Sequence, residues 1–483
     1  MLKVERSSDA SDTTLRLTAP LGTGAFSSVW LAEDLSDDPV VLRSRRSLRN
    51  LRQGSQSLSR ASSLRAVRVP GVRPLGAGKR MLAEHRQERS GTSSLMASPS
   101  SCAPNTPRLV ALKMTARSMY AQVSGREEAL QRDRTRVSFV REVEVLRHIT
   151  HPNITALLTH FTTPAYHVLV LPYLAGGDLL GLVNNDAAHG ALSESLLRRM
   201  WSELCKAVGW MHGVGLVHRD VKLENILLTT PFPLAVPPSG ALIKLTDFGL
   251  SRFIDTAAPL LSTRCGSEAY AAPELVISGR RYDARETDSW ACGVVLYALC
   301  ARRLPFGEGV AGAGGGGRIG REGGQREDPA ARRHWLMSIA RGEYDWPAPR
   351  EGQRASGIDT DDELVGPRLV ESAGARGVCA RLLVRDPSRR AKIAELWDNL
   401  WMQGPGASAA PPGLVSAEVE TMSPTSTSPE SAESVEGWSG EFADLEGEVE
   451  GFEDEDLEGE EDEDDGLLLD QDGIDSIARQ EVQ

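Results

Sequence analysis

One window of the sequence crowds several chemically competent side chains together: His218-Arg219-Asp220-Val221-Lys222-Leu223-Glu224-Asn225. It carries a carboxylate, an ammonium and a carboxamide, and it runs straight into the apolar Ile226-Leu227-Leu228. Asp220 can accept a proton from an attacking hydroxyl, Lys222 can neutralise charge on a transferred group, and Asn225 offers an oxygen to a hard cation. Asp247-Phe248-Gly249, downstream of the strand-like Leu242–Leu245, offers a second carboxylate for a metal. Val110-Ala111-Leu112-Lys113 puts a lysine at the end of a short apolar run. A lysine there needs an anionic partner, and Glu142 is the right kind of residue to hold it ready for phosphate oxygens. Gly22-Thr23-Gly24-Ala25-Phe26-Ser27-Ser28-Val29 completes the set. Glycines without a Cβ let backbone amides approach phosphates closely. Taken singly, the glycine turn is equally an ordinary hairpin, and Lys113 and Glu142 are equally two surface residues. No helix follows the turn, which argues against a dinucleotide-binding fold.

These residues need elements to hold them. Leu15–Leu35 reads as two strands around the glycine turn, and Leu109–Met114 as a short buried strand. Val137–His148 has helical spacing, with Phe139, Val143 and Leu146 on one face. His167–Pro172 suits a strand ending at a proline. Ser195–His212 reads as a long helix with Leu196, Leu197, Met200, Trp201, Leu204, Val208 and Met211 on an apolar stripe. Helical segments are expected near Arg333–Arg341, Gly374–Leu383 and Ile393–Trp401. Between them lie segments of another character. Residues 43–107 are rich in Ser and Arg without a sustained apolar period and are expected to be disordered. The glycine-dominated 309–329 region is expected to be a surface loop, and 403–483 a disordered acidic tail.

Together, in this order, the glycine turn, Lys113, Glu142, the Asp220–Asn225 loop, Asp247-Phe248-Gly249 and Ala272-Pro273-Glu274 resemble the eukaryotic protein kinase family over nearly all of 12–402. The resemblance implies an α+β, bilobal protein kinase fold: a small β-rich lobe, a larger helical lobe, and ATP between them. It implies that Gly22 and Gly24 cover the phosphates and that Lys113, oriented by Glu142, holds them. It makes Asp220 the catalytic base, Lys222 a contact to the transferring phosphate, and Asn225 and Asp247 the Mg²⁺ ligands. Leu21, Val29, Ala111 and Leu227 would enclose the adenine, Leu171 would stand at the back of the pocket, Tyr173 in the hinge, and Asp178 near the ribose. Asp288 would support the catalytic loop, Glu274 and Arg390 would pair in the large lobe, and Leu146, Phe248 and His218 would share a hydrophobic spine.

Lys222, two residues after Asp220, resembles serine/threonine kinases. The stretch Thr263–Glu274 resembles the activation segment of the calcium/calmodulin-dependent and AMP-activated-like group. Thr263 then falls on the activating phosphosite, with Arg219 and Arg252 as cationic partners, and Ser267 lines the substrate pocket. Acidic Asp178 and Glu224 imply a preference for Arg about three residues before the target. The departures are Ser27 in place of a third glycine, Leu223 for a proline, Pro172 for a hinge glutamate, a long Thr229–Gly240 segment and the 43–107 insertion. Arg-x-x-Ser-like sites in that insertion (Ser47, Ser62 and Ser63) suit self-phosphorylation. A scaffold that keeps the fold without chemistry usually lacks the lysine, the base or a metal ligand, and this chain keeps them all.

The 483-residue chain carries a net charge of −13, and that total hides an asymmetry. Residues 1–402 hold 53 basic and 42 acidic residues, whereas 403–483 hold 25 acidic residues and one basic. Such a contrast suits contact between the basic insertion and the tail, or charged partners. Six scattered cysteines form no CxxC pair, which argues against a zinc site. The start of the chain is polar, with no leader pattern, and the most apolar stretch, 290–301, is too short to span a bilayer. The partners expected are protein substrates and an upstream activating kinase. Neither a membrane nor nucleic acid is expected, because the basic insertion lacks interleaved aromatics. The cytoplasm or nucleus is the expected location.

Overall fold

The computed structural model describes residues 2–4, 13–24, 27–36, 108–117, 126–233, 240–277, 281–306, 319, 329–348 and 363–409. Two hydrophobic clusters fill the molecule: a small one on one face of the β-sheet, and a large one that runs from the other face of the sheet through the helical part. The smaller lobe is a six-stranded antiparallel sheet made of β1 (Leu2–Val4), β2 (Thr13–Thr23), β3 (Ser27–Asp34), β4 (Leu109–Ala116), β5 (Thr159–Thr162) and β6 (Tyr166–Pro172). Its order is β1-β2-β3-β4-β6-β5. Side chains alternate across a pleated strand, and the alternation assigns the faces. Val110, Leu112 and Met114 of β4, with Val168 and Val170 of β6, join Leu15 and Ala32 in one core. Ala111, Leu169 and Leu171 turn to the other face, against α1 (Arg126–His148). Both faces are covered, so β4 and β6 read as largely apolar runs, interrupted in β4 by Lys113 and Thr115 and in β6 by His167.

Around the 37–107 stretch, β3 and β4 pair without interruption from Ser27↔Thr115 to Glu33↔Leu109. A clamp closes the far end. Asp34 N–H donates to Arg108 O (2.8 Å), the Arg108 guanidinium to Ser36 O (3.1 Å), and Ser36 N–H to Asp34 Oδ1 (3.0 Å). Thr14 N–H donates to Ser36 Oγ at 3.0 Å, tying the clamp to β2.

The larger lobe is mostly helical: α2 (Leu179–Asn184), α3 (Asp186–Gly190), α4 (Glu194–Gly213), α5 (Pro273–Val276), α6 (Ala284–Ala301), α7 (Pro329–Arg341) and α8 (Ala373–Leu382). The expected apolar stripe buries α4 through Leu197, Met200, Trp201, Leu204, Val208 and Met211. Helix α6 is buried continuously from Thr287 to Cys300, so it forms the centre of the lobe rather than a face of it. Short strands line the cleft: β7 (Leu216–Val217), β8 (Ile226–Leu228), β9 (Ile243–Leu245) and β10 (Arg252–Phe253). Buried Arg390 forks onto both oxygens of Glu274 at 2.6 and 2.9 Å and lies over the Trp290 ring. Among the described residues no helix is long and apolar enough to cross a membrane.

Three expectations need correction. Helix α1 starts at Arg126 rather than near Val137, because its polar first turns carry no apolar spacing to betray them. Residues 393–403 form two 3₁₀ turns rather than one helix. Asn399 adopts an extended backbone between them, and its side chain takes the Trp401 N–H at 2.9 Å, which stops propagation. Ile319, inside the glycine-rich stretch expected at the surface, is buried, and its backbone makes reciprocal hydrogen bonds with the Asn184 carboxamide (2.9 and 3.0 Å). The rest of that stretch, the 43–107 insertion with Ser47, Ser62 and Ser63, and the tail from 410 lie outside the described residues.

Candidate functional site

The cleft between the lobes gathers the chemistry-bearing residues in two groups. The upper group centres on Lys113. Strand parity aims Lys113 at α1, and its Nζ lies 2.7 Å from Glu142 Oε2 and 2.8 Å from Asp247 Oδ1. Burial alone would lower the lysine pKa, but the two carboxylates outweigh it and hold Lys113 above its ordinary value. Burial raises the Glu142 pKa despite the lysine. Burial also opposes ionisation of Asp247, but there Lys113 prevails and the net shift is downward. Asp247 sits at φ 63°, a left-handed conformation that few non-glycine residues hold. Next to it, Phe248 is fully buried and meets His218 edge to face at 5.0 Å, with Leu146 in the same core.

The walls around this group come from the sheet and the hinge. Register places Val29 opposite Lys113, and Leu171 opposite Ala111. Leu21 falls at the irregularity between Pro20 and Gly22 and is exposed. Gly22 and Gly24 are exposed as well. A Cβ at Gly22 would meet nothing within 4 Å, so the protein's own packing does not require glycine there. Past β6, Tyr173 is half-buried and the chain turns back onto β8, where Gly176 N–H donates to Leu228 O and Leu228 N–H to Gly177 O. This approach places Leu227 across from Asp178. It also demands glycine at 176, where a Cβ would lie 2.4 Å from both Leu228 Cβ and Thr230 O. Asp178 Oδ1 accepts the Gly181 N–H at 2.6 Å, so one carboxylate oxygen caps α2.

The lower group surrounds Asp220. Its Oδ1 accepts the Ser267 N–H (3.0 Å) and hydroxyl (2.9 Å), and its Oδ2 faces Lys222 Nζ at 2.7 Å and Asn225 Nδ2 at 3.0 Å. Lys222 also donates to Ser267 Oγ. Asn225 donates a second bond to Asp220 O at 2.8 Å, which turns its carboxamide NH₂ toward the loop and leaves its oxygen as the acceptor. The loop is braced from below. Asp288 on α6 accepts the backbone N–H groups of His218 (2.9 Å) and Arg219 (2.8 Å) and faces His212 at 3.0 Å. Burial works against the Asp288 charge, but these hydrogen bonds and histidines bring its pKa below the ordinary carboxylate value. Arg219 is held at φ 68°.

The activation-segment residues are brought only partly together. The Arg219 guanidinium reaches the carbonyl of Thr263 (2.6 Å), not its hydroxyl, and both share Tyr282 Oη. The Thr263 side chain is exposed. Arg252 stands opposite Val217 on β10, two residues from Arg219 in register. Tyr282 and His212 were not singled out from sequence, because each acts on a partner dozens of residues away and sits in no recognisable motif.

The donor set suits a hard cation. Among the described residues no three His, Cys, Asp or Glu side chains cluster as a metal cage. The pair available, Asn225 and Asp247, is one carboxamide and one carboxylate. Mg²⁺ is typically bound through one or two such oxygens and completes its shell with phosphate and water.

Comparison with known proteins gives a consistent result. The family described as "Protein kinase domain" matches residues 102–402, beginning near the end of the insertion and so without β2 and β3. Serine/threonine-protein kinase KIN4 of Saccharomyces cerevisiae is 36% identical over 200 residues, 41% of this chain and 22% of that protein. CBL-interacting protein kinase 22 of Oryza sativa subsp. japonica is 32% identical over 290 residues, 59% of this chain and 52% of that protein. Sucrose non-fermenting protein kinase 1 of Fusarium virguliforme is 39% identical over 193 residues, 40% of this chain and 25% of that protein. The match therefore spans between about a fifth and a half of these relatives' lengths.

Proposed function

The chain belongs to the protein kinase family, and from that premise we propose that it transfers the γ-phosphoryl group of ATP to serine and threonine hydroxyls of protein substrates. The observation that carries this reading is the Asp220 carboxylate, fixed by Lys222 and Asn225 of its own braced loop and by Ser267, which reaches it from 47 residues further along the chain. In our reading Asp220 takes the proton of the attacking hydroxyl. Lys222 lies beside it to meet charge on the moving phosphoryl group, and Lys113 holds the phosphates that stay behind. Asn225 and Asp247 would hold Mg²⁺, which when bound supplies neutralisation of phosphate charge. Leu21, Val29, Ala111, Leu171, Tyr173 and Leu227 would enclose the base, with Gly22 and Gly24 above the phosphates.

Two finer proposals accompany it. The first is a preference for arginine about three residues before the acceptor. It is supported by Glu224, whose pKa burial raises and which takes a hydrogen bond from Tyr270 Oη at 3.3 Å. A docked guanidinium would offset that desolvation. The second is activation by phosphorylation of exposed Thr263 by an upstream kinase, supported by the nearness of Arg219.

The test is transfer from Mg²⁺·ATP to serine peptides with and without Arg at the −3 position, for wild type, Asp220→Asn and Thr263→Ala. The expected results are a loss of roughly a thousandfold for Asp220→Asn with folding retained, faster transfer to the Arg peptide, and no gain from upstream phosphorylation in Thr263→Ala. Undiminished transfer by Asp220→Asn would overturn the reading, and equal rates for the two peptides would overturn the basophilic preference.

A further inference from the structure

Ser138 lies one helical turn before Glu142 on α1, so both side chains leave the same face. They grip the Asp247-Phe248-Gly249 turn at two points. The Glu142 carboxylate reaches it through Lys113, whose Nζ is shared between Glu142 Oε2 (2.7 Å) and Asp247 Oδ1 (2.8 Å). The Ser138 hydroxyl donates to Gly249 O at 3.3 Å. Gly249 is not held at positive φ, so its backbone could carry a side chain without strain. What crowds it is Ser138. A Cβ on Gly249 would lie 2.4 Å from Ser138 Oγ but 3.5 Å from Asp247 Oδ1 and 3.8 Å from Ser138 Cβ, both ordinary contacts. The hydroxyl can be accommodated only by turning away, which breaks its bond to the carbonyl. Gly249 N–H in turn approaches Asp247 Oδ1 at 3.4 Å, so a shift at 249 is felt by the carboxylate.

We propose that Ser138 is a positioning residue for the metal-binding carboxylate: its hydroxyl latches α1 to the Gly249 carbonyl and so sets Asp247, and Gly249 is glycine in order to admit it. The proposal rests on the reading of Asp247 as a Mg²⁺ ligand given above. It makes Ser138 and Gly249 two halves of one contact, so that losing either is equivalent to losing both.

A double-mutant cycle on the full chain tests this, with wild type, Ser138→Ala, Gly249→Ala and the double variant. The readout is the Mg²⁺ concentration giving half of the ATP-induced rise in Tm, alongside phosphotransfer kcat. The Tm without nucleotide controls for a merely structural role. Each single variant raises half-saturating Mg²⁺ about fivefold, the scale of one neutral hydrogen bond. The double variant matches either single, and the Tm without nucleotide stays within a degree or two across the cycle. Effects that multiply to about 25-fold in the double variant would overturn the latch, as would an unchanged Mg²⁺ requirement in Ser138→Ala. A cycle that holds for Mg²⁺·ATP binding in a chain that transfers no phosphate would leave the latch standing and remove the enzymatic reading instead. A wild type whose Tm does not respond to Mg²⁺·ATP would remove the metal site, and the latch with it.

Discussion

The two halves of the cleft are built on different plans. Around Asp220, two of the three partners come from its own short loop and the third, Ser267, from 47 residues on, and the loop hangs from a single buried aspartate on the most deeply buried helix, α6. Around Lys113, the two partners come from two other elements, α1 and the Asp247 turn, 29 and 134 residues from the lysine. One of them, Asp247, keeps 43% of its side chain exposed. The lower half is a fixed platform. The upper half is an assembly that exists only while α1, β4 and the Asp247 turn stay in register. Positioning in the first case comes from a buried brace beneath one loop and in the second from ion pairs between separate elements. The same types of residue are therefore predicted to fail in different ways.

The sharpest way to break this contrast is to remove one negative charge from each half. Glu274→Gln uncouples the buried Arg390 pair that underlies the large lobe and is expected to cost about 3–5 kcal/mol, visible as a lower denaturant midpoint. Glu142→Gln is expected to lower phosphotransfer by roughly a hundredfold while leaving the midpoint nearly unchanged, because Lys113 keeps its second carboxylate, Asp247, at 2.8 Å. A large loss of stability in Glu142→Gln would erase the distinction.

A milder pair uses glycines. Gly176→Ala forces a Cβ into Leu228 and Thr230 and should cost about 1–3 kcal/mol and raise the KM for ATP through the displaced hinge. Gly22→Ala meets open space and should leave thermal stability unaltered while raising that KM by a few-fold.

The smallest effect concerns pH. Glu224 has a raised pKa because of burial, so it takes up a proton at higher pH than an ordinary glutamate. Discrimination between Arg-containing and Arg-free peptides should therefore decline as pH falls, beginning at a higher pH than an ordinary glutamate would set. Glu224→Gln should flatten the profile, and a profile of unchanged shape in that variant would assign the discrimination to other groups.

The sequence makes the lower half easy to read, since Asp220, Lys222 and Asn225 announce their roles at fixed offsets. Lys113, Glu142 and Asp247 are also legible, but only as types of residue. Their meeting depends on strand parity and on the placement of α1, which local spacing does not encode. Asp288 and the Glu274–Arg390 pair are reached through family resemblance rather than through pattern. Glu203 illustrates what stays hidden. It is buried on α4 and collects the Leu242 and Ile243 N–H groups and the Asn153 carboxamide, with nothing in its neighbourhood to mark it. The early start of α1 and the break at Asn399 were missed for a related reason. Helix length there follows polar residues and a side-chain cap rather than apolar period.

The clamp at Ser36 and Arg108 has a consequence for what the chain can tolerate. Because β3 and β4 pair as neighbours and their ends are tied to each other and to Thr14, the small lobe holds together the two ends from which the 37–107 stretch departs. Closing a flexible loop costs free energy that grows only with the logarithm of its length, about 0.6 kcal/mol for each doubling. With the ends held, a change of length at this point is expected to cost folding little and to leave Lys113, five residues inside the strand, in place. The position is a natural port for grafting a reporter domain, or for opening new termini in a circularly permuted chain.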